Sequence, residues 1–321
     1  MSLNALIVGA GKIGALFDSP HDKNVLSHAH AYAAHPAFEL AGFVDVDVDK
    51  AAKAAGLWGC GYFSSLQDAF DRQKIDVISV AVPDEQHFAI LKALRGFSFS
   101  AVIVEKPIAR SVDEGNELAL LYHERTPLVA VNYSRRYVPQ FAELKRRIKS
   151  GEFGRYLTGS GYYGKGIVHN GSHLVDLIRF LVDEIADFDV GAGECDFYPD
   201  DPSVEGVLRF ENGRTFHILP VSCRAYTVFE LDLFFERRRI RIVDSGFGIE
   251  EQAVENSERF PGYLNLSSAQ AAQTEMGKAM FFLMDNLHTS LLGRSEVGCT
   301  IEDALKDLEI CSTMAASFRN I

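Results

Sequence analysis

Apolar residues come in short unbroken runs early in the chain and in longer alternating runs later. Leu3–Val8, Phe38–Val44, 75–82 and Ala101–Val104 have the composition of strands covered on both faces. Between and after them, 85–95 and 111–125 repeat apolar positions at helical spacing, and 128–133 returns to a strand. This order predicts a parallel sheet with helices on both faces over 1–125. After Gly154 the pattern alternates over 204–210, 215–221, 229–235 and 240–243, and Glu211-Asn212-Gly213-Arg214 is a hairpin signal between the first two. Amphipathic helices over 274–292 and 301–319 close the chain. A second, α+β domain on a mostly antiparallel sheet is therefore expected over 126–321, with the option that its last helices pack back on the first domain.

A chain of 321 residues, 47% hydrophobic, can bury two cores without disulfides or metals. Its net charge of -12 opposes binding to nucleic acid or to an anionic membrane surface, since both rely on clustered Lys and Arg. No run of about 18 apolar residues is present to span a bilayer, and the N-terminus enters a strand pattern at once. Cys60, Cys195, Cys223, Cys299 and Cys311 are scattered, with neither zinc nor disulfide spacing. The expectation is a soluble cytoplasmic protein with no nucleic-acid or membrane partner.

The picture sharpens at Gly9-Ala10-Gly11-Lys12-Ile13-Gly14, which directly follows the first strand. There, Gly9, Gly11 and Gly14 would let the chain turn and open a helix whose backbone N–H groups, with Lys12 and Ile13, face a pyrophosphate. The next strand ends in Asp45, placed to accept hydrogen bonds from the adenosine ribose hydroxyls. Asp47 follows and no Arg is near, so NAD is expected, with NADP the less favoured alternative. The motif and its context predict a Rossmann domain. Residues 17–30 lengthen the usual interval; they read as a surface loop, with a lid as the alternative.

Two further strand ends carry chemistry. The third strand runs into Pro83 with His87 just beyond, and the fourth into Glu105-Lys106-Pro107. Open α/β sheets place their ligands at these carboxyl ends, so Pro83, His87, Glu105 and Lys106 are expected at the cofactor. Pro107 restricts the residues before it to a rigid extended turn, open to a cis bond, that can hold the Lys106 ammonium toward the nicotinamide pocket.

Four segments in order carry a wider resemblance: Gly9 to Gly14 with Asp45; Glu105-Lys106-Pro107; Val131-Asn132-Tyr133-Ser134-Arg135-Arg136-Tyr137-Val138-Pro139 leading to Ser150-Gly151-Glu152-Phe153-Gly154; and Asn170-Gly171-Ser172-His173-Leu174-Val175-Asp176-Leu177. Together they resemble the glucose-fructose oxidoreductase, inositol dehydrogenase and rhizopine-catabolism (Gfo/Idh/MocA) family over nearly the whole chain. The resemblance implies that Lys106 and His173 lie beside the reacting carbon. A His titrates near neutral pH and can take a hydroxyl proton, while a nearby Lys polarises the oxygen. Asp176, at i+3 from His173, would orient or charge-balance the imidazole. His169 departs from the family, many of whose members carry an acidic residue there; it is a candidate for the proton route and for substrate contact. Residues 164–173 look like a subgroup associated with polysaccharide and nucleotide-sugar pathways.

Each of these positions also has a plainer reading. His169 and His173 have metal-ligand spacing, with Asp176 as a third donor, or they are structural; no metal is expected. Arg135 or Arg136 binds an anionic substrate group or clamps the domain junction by an ion pair. Tyr162, Tyr163 and Lys165 line a sugar pocket or serve strand packing. Arg237-Arg238-Arg239 with Arg241 is a solvated turn or the rim of a sheet through which homodimers or homotetramers form. The expected activity is NAD-dependent hydride transfer to or from a secondary hydroxyl of a sugar, nucleotide-sugar or cyclitol. The alternatives are a non-catalytic NAD-sensing regulator and a reductase of an imine or unsaturated ring.

Overall fold

In the computed structural model, which describes residues 2–123 and 127–318, the first unbroken apolar runs lie inside a parallel sheet. Its elements are β1 (Leu3–Val8), α1 (His28–Ala34), β2 (Phe38–Val44), α2 (Val48–Trp58), β3 (Gly61–Phe63), α3 (Leu66–Arg72), β4 (Val77–Val80), α4 (His87–Leu94), β5 (Ala101–Val104), α5 (Val112–Leu121) and β6 (Leu128–Val131). The six strands run in the order β3-β2-β1-β4-β5-β6. Every residue of β4 and β5 is buried, which is why these strands carry no polar alternation. Between β1 and β4 the strand order changes direction, the place at whose carboxyl ends open α/β sheets bind their ligands.

The glycine motif opens only a five-residue π-helical turn, Lys12–Leu16, closed by bonds such as Phe17 N–H to the Lys12 carbonyl. Helical structure resumes at α1, where the Ser27 side chain accepts from His30 N–H.

The remaining elements are α6 (Pro139–Lys149), β7 (Tyr156–Tyr163), α7 (Ser172–Leu181), β8 (Ile185–Tyr198), β9 (Asp201–Phe210), β10 (Thr215–Pro220), β11 (Glu230–Phe235), β12 (Arg238–Val243), β13 (Gly248–Asn256), β14 (Leu264–Leu266), β15 (Gln270–Gln273), α8 (Ala279–Leu291) and α9 (Ile301–Phe318). A nine-stranded sheet follows the order β14-β13-β12-β11-β7-β10-β9-β8, with β15 on β13. It is mostly antiparallel, with β7 and β10 parallel. The expected hairpin is there: β9 and β10 pair antiparallel across Gly213, whose φ of 79° the turn requires. The sheet's apolar side and the face of α7 that carries Leu174, Val175, Leu177, Ile178 and Leu181 are buried.

The chain divides into two compact units, Met1–Val138 with Gly277–Leu308, and Pro139–Met276 with Glu309–Ile321. The sequence boundary at 125/126 and the expected helix ends at 125 and 319 lie outside the described residues. The helix expected from 274 begins at Ala279, after a short 3-10 turn over Met276–Lys278. The basic run is largely not a solvated turn: within β12, Arg239 pairs with Asp232 at 2.5 Å and Arg241 with Glu250 at 2.7 Å, while Arg237 donates to the Gly151 and Glu152 carbonyls. Among the described residues no helix is long and apolar enough to cross a membrane.

Candidate active site

In the first unit, three strand ends converge at the carboxyl edge of the sheet. At the end of β1 the glycines have distinct steric roles. A Cβ on Gly9 would stand 2.5 Å from the Ala81 carbonyl oxygen, and one on Gly14 would stand 2.1 Å from the Gly9 oxygen. At Gly11 it would meet nothing within 4 Å. The turn is thus closed by two glycines and open at the third, a concavity suited to a diphosphate approaching the backbone. Lys12 is exposed and Ile13 half-buried.

Asp45, just past β2, accepts from Ala10 N–H at 2.8 Å through one oxygen and from Asp47 N–H at 2.9 Å through the other. Its carboxylate is fixed by backbone donors and offers only acceptor capacity outward, as recognition of vicinal ribose hydroxyls requires. The residues present therefore fit a dinucleotide. Behind the turn, the indole of Trp58 donates to the Ala15 carbonyl at 2.9 Å and lies 5.5 Å from the His30 ring.

Past β5, the Lys106–Pro107 peptide is cis. Glu105 N–H donates to the Val80 carbonyl, so the turn hangs from β4. The Glu105 carboxylate accepts from His28 Nε2 at 2.8 Å and from Asn132 Nδ2 at 2.7 Å. Burial raises this carboxyl, but the His28 and Asn132 hydrogen bonds and the charges of His28 and Lys106 outweigh it and hold Glu105 below its ordinary value. His87 is 1% exposed; Nδ1 meets the Pro107 carbonyl at 2.7 Å and Nε2 the Val82 carbonyl at 3.0 Å. The structure thus puts His87 beneath the two strand-end turns, tying one to the other, whereas Pro83 is exposed at the rim.

In the second unit, β7 leads into a tight loop and then α7. Lys165 has φ 66° and Gly166 φ 82°, and two carboxylates hold this strained backbone. Asp196 accepts from Lys165 N–H, Cys223 N–H and the Ser203 hydroxyl. Burial raises the Asp196 carboxyl, but the Cys223 and Lys165 amides and the Ser203 hydroxyl prevail and hold it down to about 2. Asp201 accepts from Val168 N–H, His169 N–H and His169 Nδ1, the last at 2.8 Å. The His169 ring stacks on Tyr198 with centroids 3.9 Å apart. His173 occupies the first turn of α7, half-buried and edge-on to Phe229, and Asp176 is 1% exposed one turn on.

Other expected site residues serve packing. Tyr163 is fully buried, its hydroxyl donating to the Val204 carbonyl and accepting from Val204 N–H. Arg136 is 8% exposed and pairs with Asp303 at 3.1 Å, inside the first unit. Residues 17–30 are not a solvated loop throughout: Asp18 is buried and accepts from Leu26 N–H, Ser27 N–H, the Ser27 hydroxyl and His30 Nδ1. Among the described residues no group of three or more His, Cys, Asp or Glu is arranged to hold a metal. Asp196, Asp201 and Asn132 were not singled out from sequence; they act from segments distant in the chain, and Asp200-Asp201-Pro202 reads locally as an ordinary turn.

Residues 3–133 match the Gfo/Idh/MocA profile, the oxidoreductase family with an NAD-binding Rossmann fold. An inositol 2-dehydrogenase of Mycolicibacterium smegmatis is 31% identical over 147 residues, 41% of this chain and 41% of that protein. A levoglucosan dehydrogenase of Pseudarthrobacter phenanthrenivorans is 26% identical over 218 residues, 58% of this chain and 52% of that protein, so the chain spans about half or less of these relatives. The fold extends further. An oxidoreductase of Desulfitobacterium hafniense, described as NADPH-dependent, superposes with a TM-score of 0.80 at 15% identity, over 100% of this chain and 96% of that one.

Proposed function

Since residues 3–133 match the Gfo/Idh/MocA oxidoreductase family, we propose that this chain transfers a hydride between NAD and a carbon bearing a secondary hydroxyl in a sugar, nucleotide-sugar or cyclitol. The observation that carries this reading is the convergence, at one sheet edge, of the open glycine turn, Asp45 and the Glu105-Lys106-Pro107 turn. When bound, the nicotinamide supplies the hydride acceptor or donor. The chain does the rest. Asp45 accepts from the ribose hydroxyls and repels a 2′-phosphate, which selects NAD over NADP. Lys106 donates to the reacting oxygen and stabilises negative charge on it as the hydride leaves the carbon. His173 accepts the hydroxyl proton in oxidation and returns it in reduction, with Asp176 balancing the imidazolium charge. His169, backed by Asp201, orients a neighbouring hydroxyl, and Lys165 lies on the same loop.

The substrate class is supported by relatives such as the inositol 2-dehydrogenase and the levoglucosan dehydrogenase. Replacing Lys106 by Met should lower turnover at least about 100-fold while NADH affinity, read by isothermal titration, stays within about threefold. In the parent protein NADH should bind at least about tenfold more tightly than NADPH. A Lys106→Met variant that oxidises a panel of inositols, free sugars and UDP-sugars at the parent rate would overturn the assignment.

A further inference from the structure

One buried histidine has no part in the chemistry above. His28 is 0% exposed, and its ring enters the first unit's core from the first turn of α1. Its Nε2 meets Glu105 Oε1 at 2.8 Å; because a carboxylate can only accept, Nε2 carries the proton. Its Nδ1 is buried with no hydrogen-bond partner among the described residues. A core position needing only volume would be filled at lower cost by Leu or Phe, since a buried polar atom without a partner costs about 1–3 kcal/mol.

The surroundings show what His28 is held for. Asp18 fixes Ser27 and His30 on either side of it, and Ser27 caps α1, so the helix end that carries His28 is anchored on both flanks. Across from it, Asn132 brings a second donor to the same Glu105 oxygen, and the Ser134 hydroxyl donates to Asn132 Oδ1 at 3.1 Å. The Glu105 side chain therefore cannot rotate without breaking two short bonds. Glu105 precedes Lys106 and Pro107 follows it, so the residue before the lysine is held through its carboxylate and the residue after it through the His87 bond to the Pro107 carbonyl.

We propose that His28 is a positioning residue for Lys106, acting through Glu105, so that the helix following the glycine turn sets the direction of the lysine. This rests on the reading of Lys106 given above. An ammonium that polarises an oxygen must be placed to within a fraction of an ångström, and a misplacement of about 1 Å costs on the order of 100-fold in rate.

The test uses the full chain with His28→Leu, His28→Gln, Glu105→Gln and the double variant His28→Leu/Glu105→Gln. Two readouts are taken: kcat and KM on the best substrate of the panel, and the rate at which an amine-acylating reagent labels Lys106 in the cofactor-free protein, followed by mass spectrometry. His28→Leu should lower kcat about 10- to 100-fold with KM and NADH affinity unchanged, and should alter Lys106 labelling. His28→Gln, which keeps a donor, should recover most of both, and the double variant should be no worse than Glu105→Gln. Parental kcat and labelling in His28→Leu would overturn the proposal. So would loss of folding or NADH affinity shared by His28→Leu and His28→Gln, which would make His28 a core residue only. Labelling needs no substrate, so it tests the positioning role even if no sugar is turned over and the functional reading fails.

Discussion

Gly11 and Gly14 stand three residues apart in one turn, yet an added methyl group acts on different processes at the two. At Gly14 it would meet the Gly9 backbone oxygen at 2.1 Å, and backbone cannot swing aside. At Gly11 it would project into open space where the diphosphate is expected to lie. Gly14→Ala should therefore lower stability by about 2–3 kcal/mol. Gly11→Ala should leave it within about 1 kcal/mol of the parent and weaken NADH by about tenfold or more. Thermal unfolding and titration calorimetry on the pair separate the two effects; a Gly11→Ala variant with parental affinity would contradict the placement of the diphosphate.

The loop between β7 and α7 shows what local sequence can and cannot reveal about an element. The strands were legible because burial shapes the side-chain pattern: β5 is apolar throughout, β4 is interrupted only by Ser79, and β9 and β10 flank an Asn-Gly hairpin. The glycine turn, Asp45 and Lys106 were expected from their offsets to strand ends, and His173 from the family resemblance. Asp201 was not, since it reaches the Val168 and His169 amides across 33 and 32 positions and no period connects them. The insertion over 17–30 read as solvent-facing for the same reason, since its polar residues satisfy one another through Asp18. Tyr163 and Arg136 show the reverse: their residue types suit a pocket, but the Val204 backbone and Asp303 engage them in the interior. Replacing Asp201 by Ala strips the acceptor from two backbone amides and the His169 ring, and should cost about 2–4 kcal/mol, read as a shift in the urea midpoint. If His169 contacts substrate, the same variant raises KM more than it lowers kcat. Unchanged stability would show that the loop holds its strained backbone without this carboxylate.

For the whole molecule, the buried carboxylates set an acid limit. Asp196 is held down to about 2 against an ordinary 3.8, and Glu105 lies below its ordinary 4.5. A depressed carboxyl contributes stability that is complete above the unfolded-state value and is lost as pH falls through the folded one. Stability should thus be flat above about pH 5 and decline between about pH 4 and 2, with Asp196 supplying about 1–2 kcal/mol of the loss. Asp196→Asn should be less stable at pH 7 and show a shallower decline in denaturant midpoint; a decline as steep as the parent's would remove Asp196 as its source. The position of Trp58 has a separate, optical consequence. It is the chain's one tryptophan, and its indole is bonded to the backbone of the turn that opens at Gly11. Its emission overlaps the absorption of a reduced nicotinamide, so quenching of a single fluorophore reports occupancy of that turn by NADH and stays silent for NAD, with no label added.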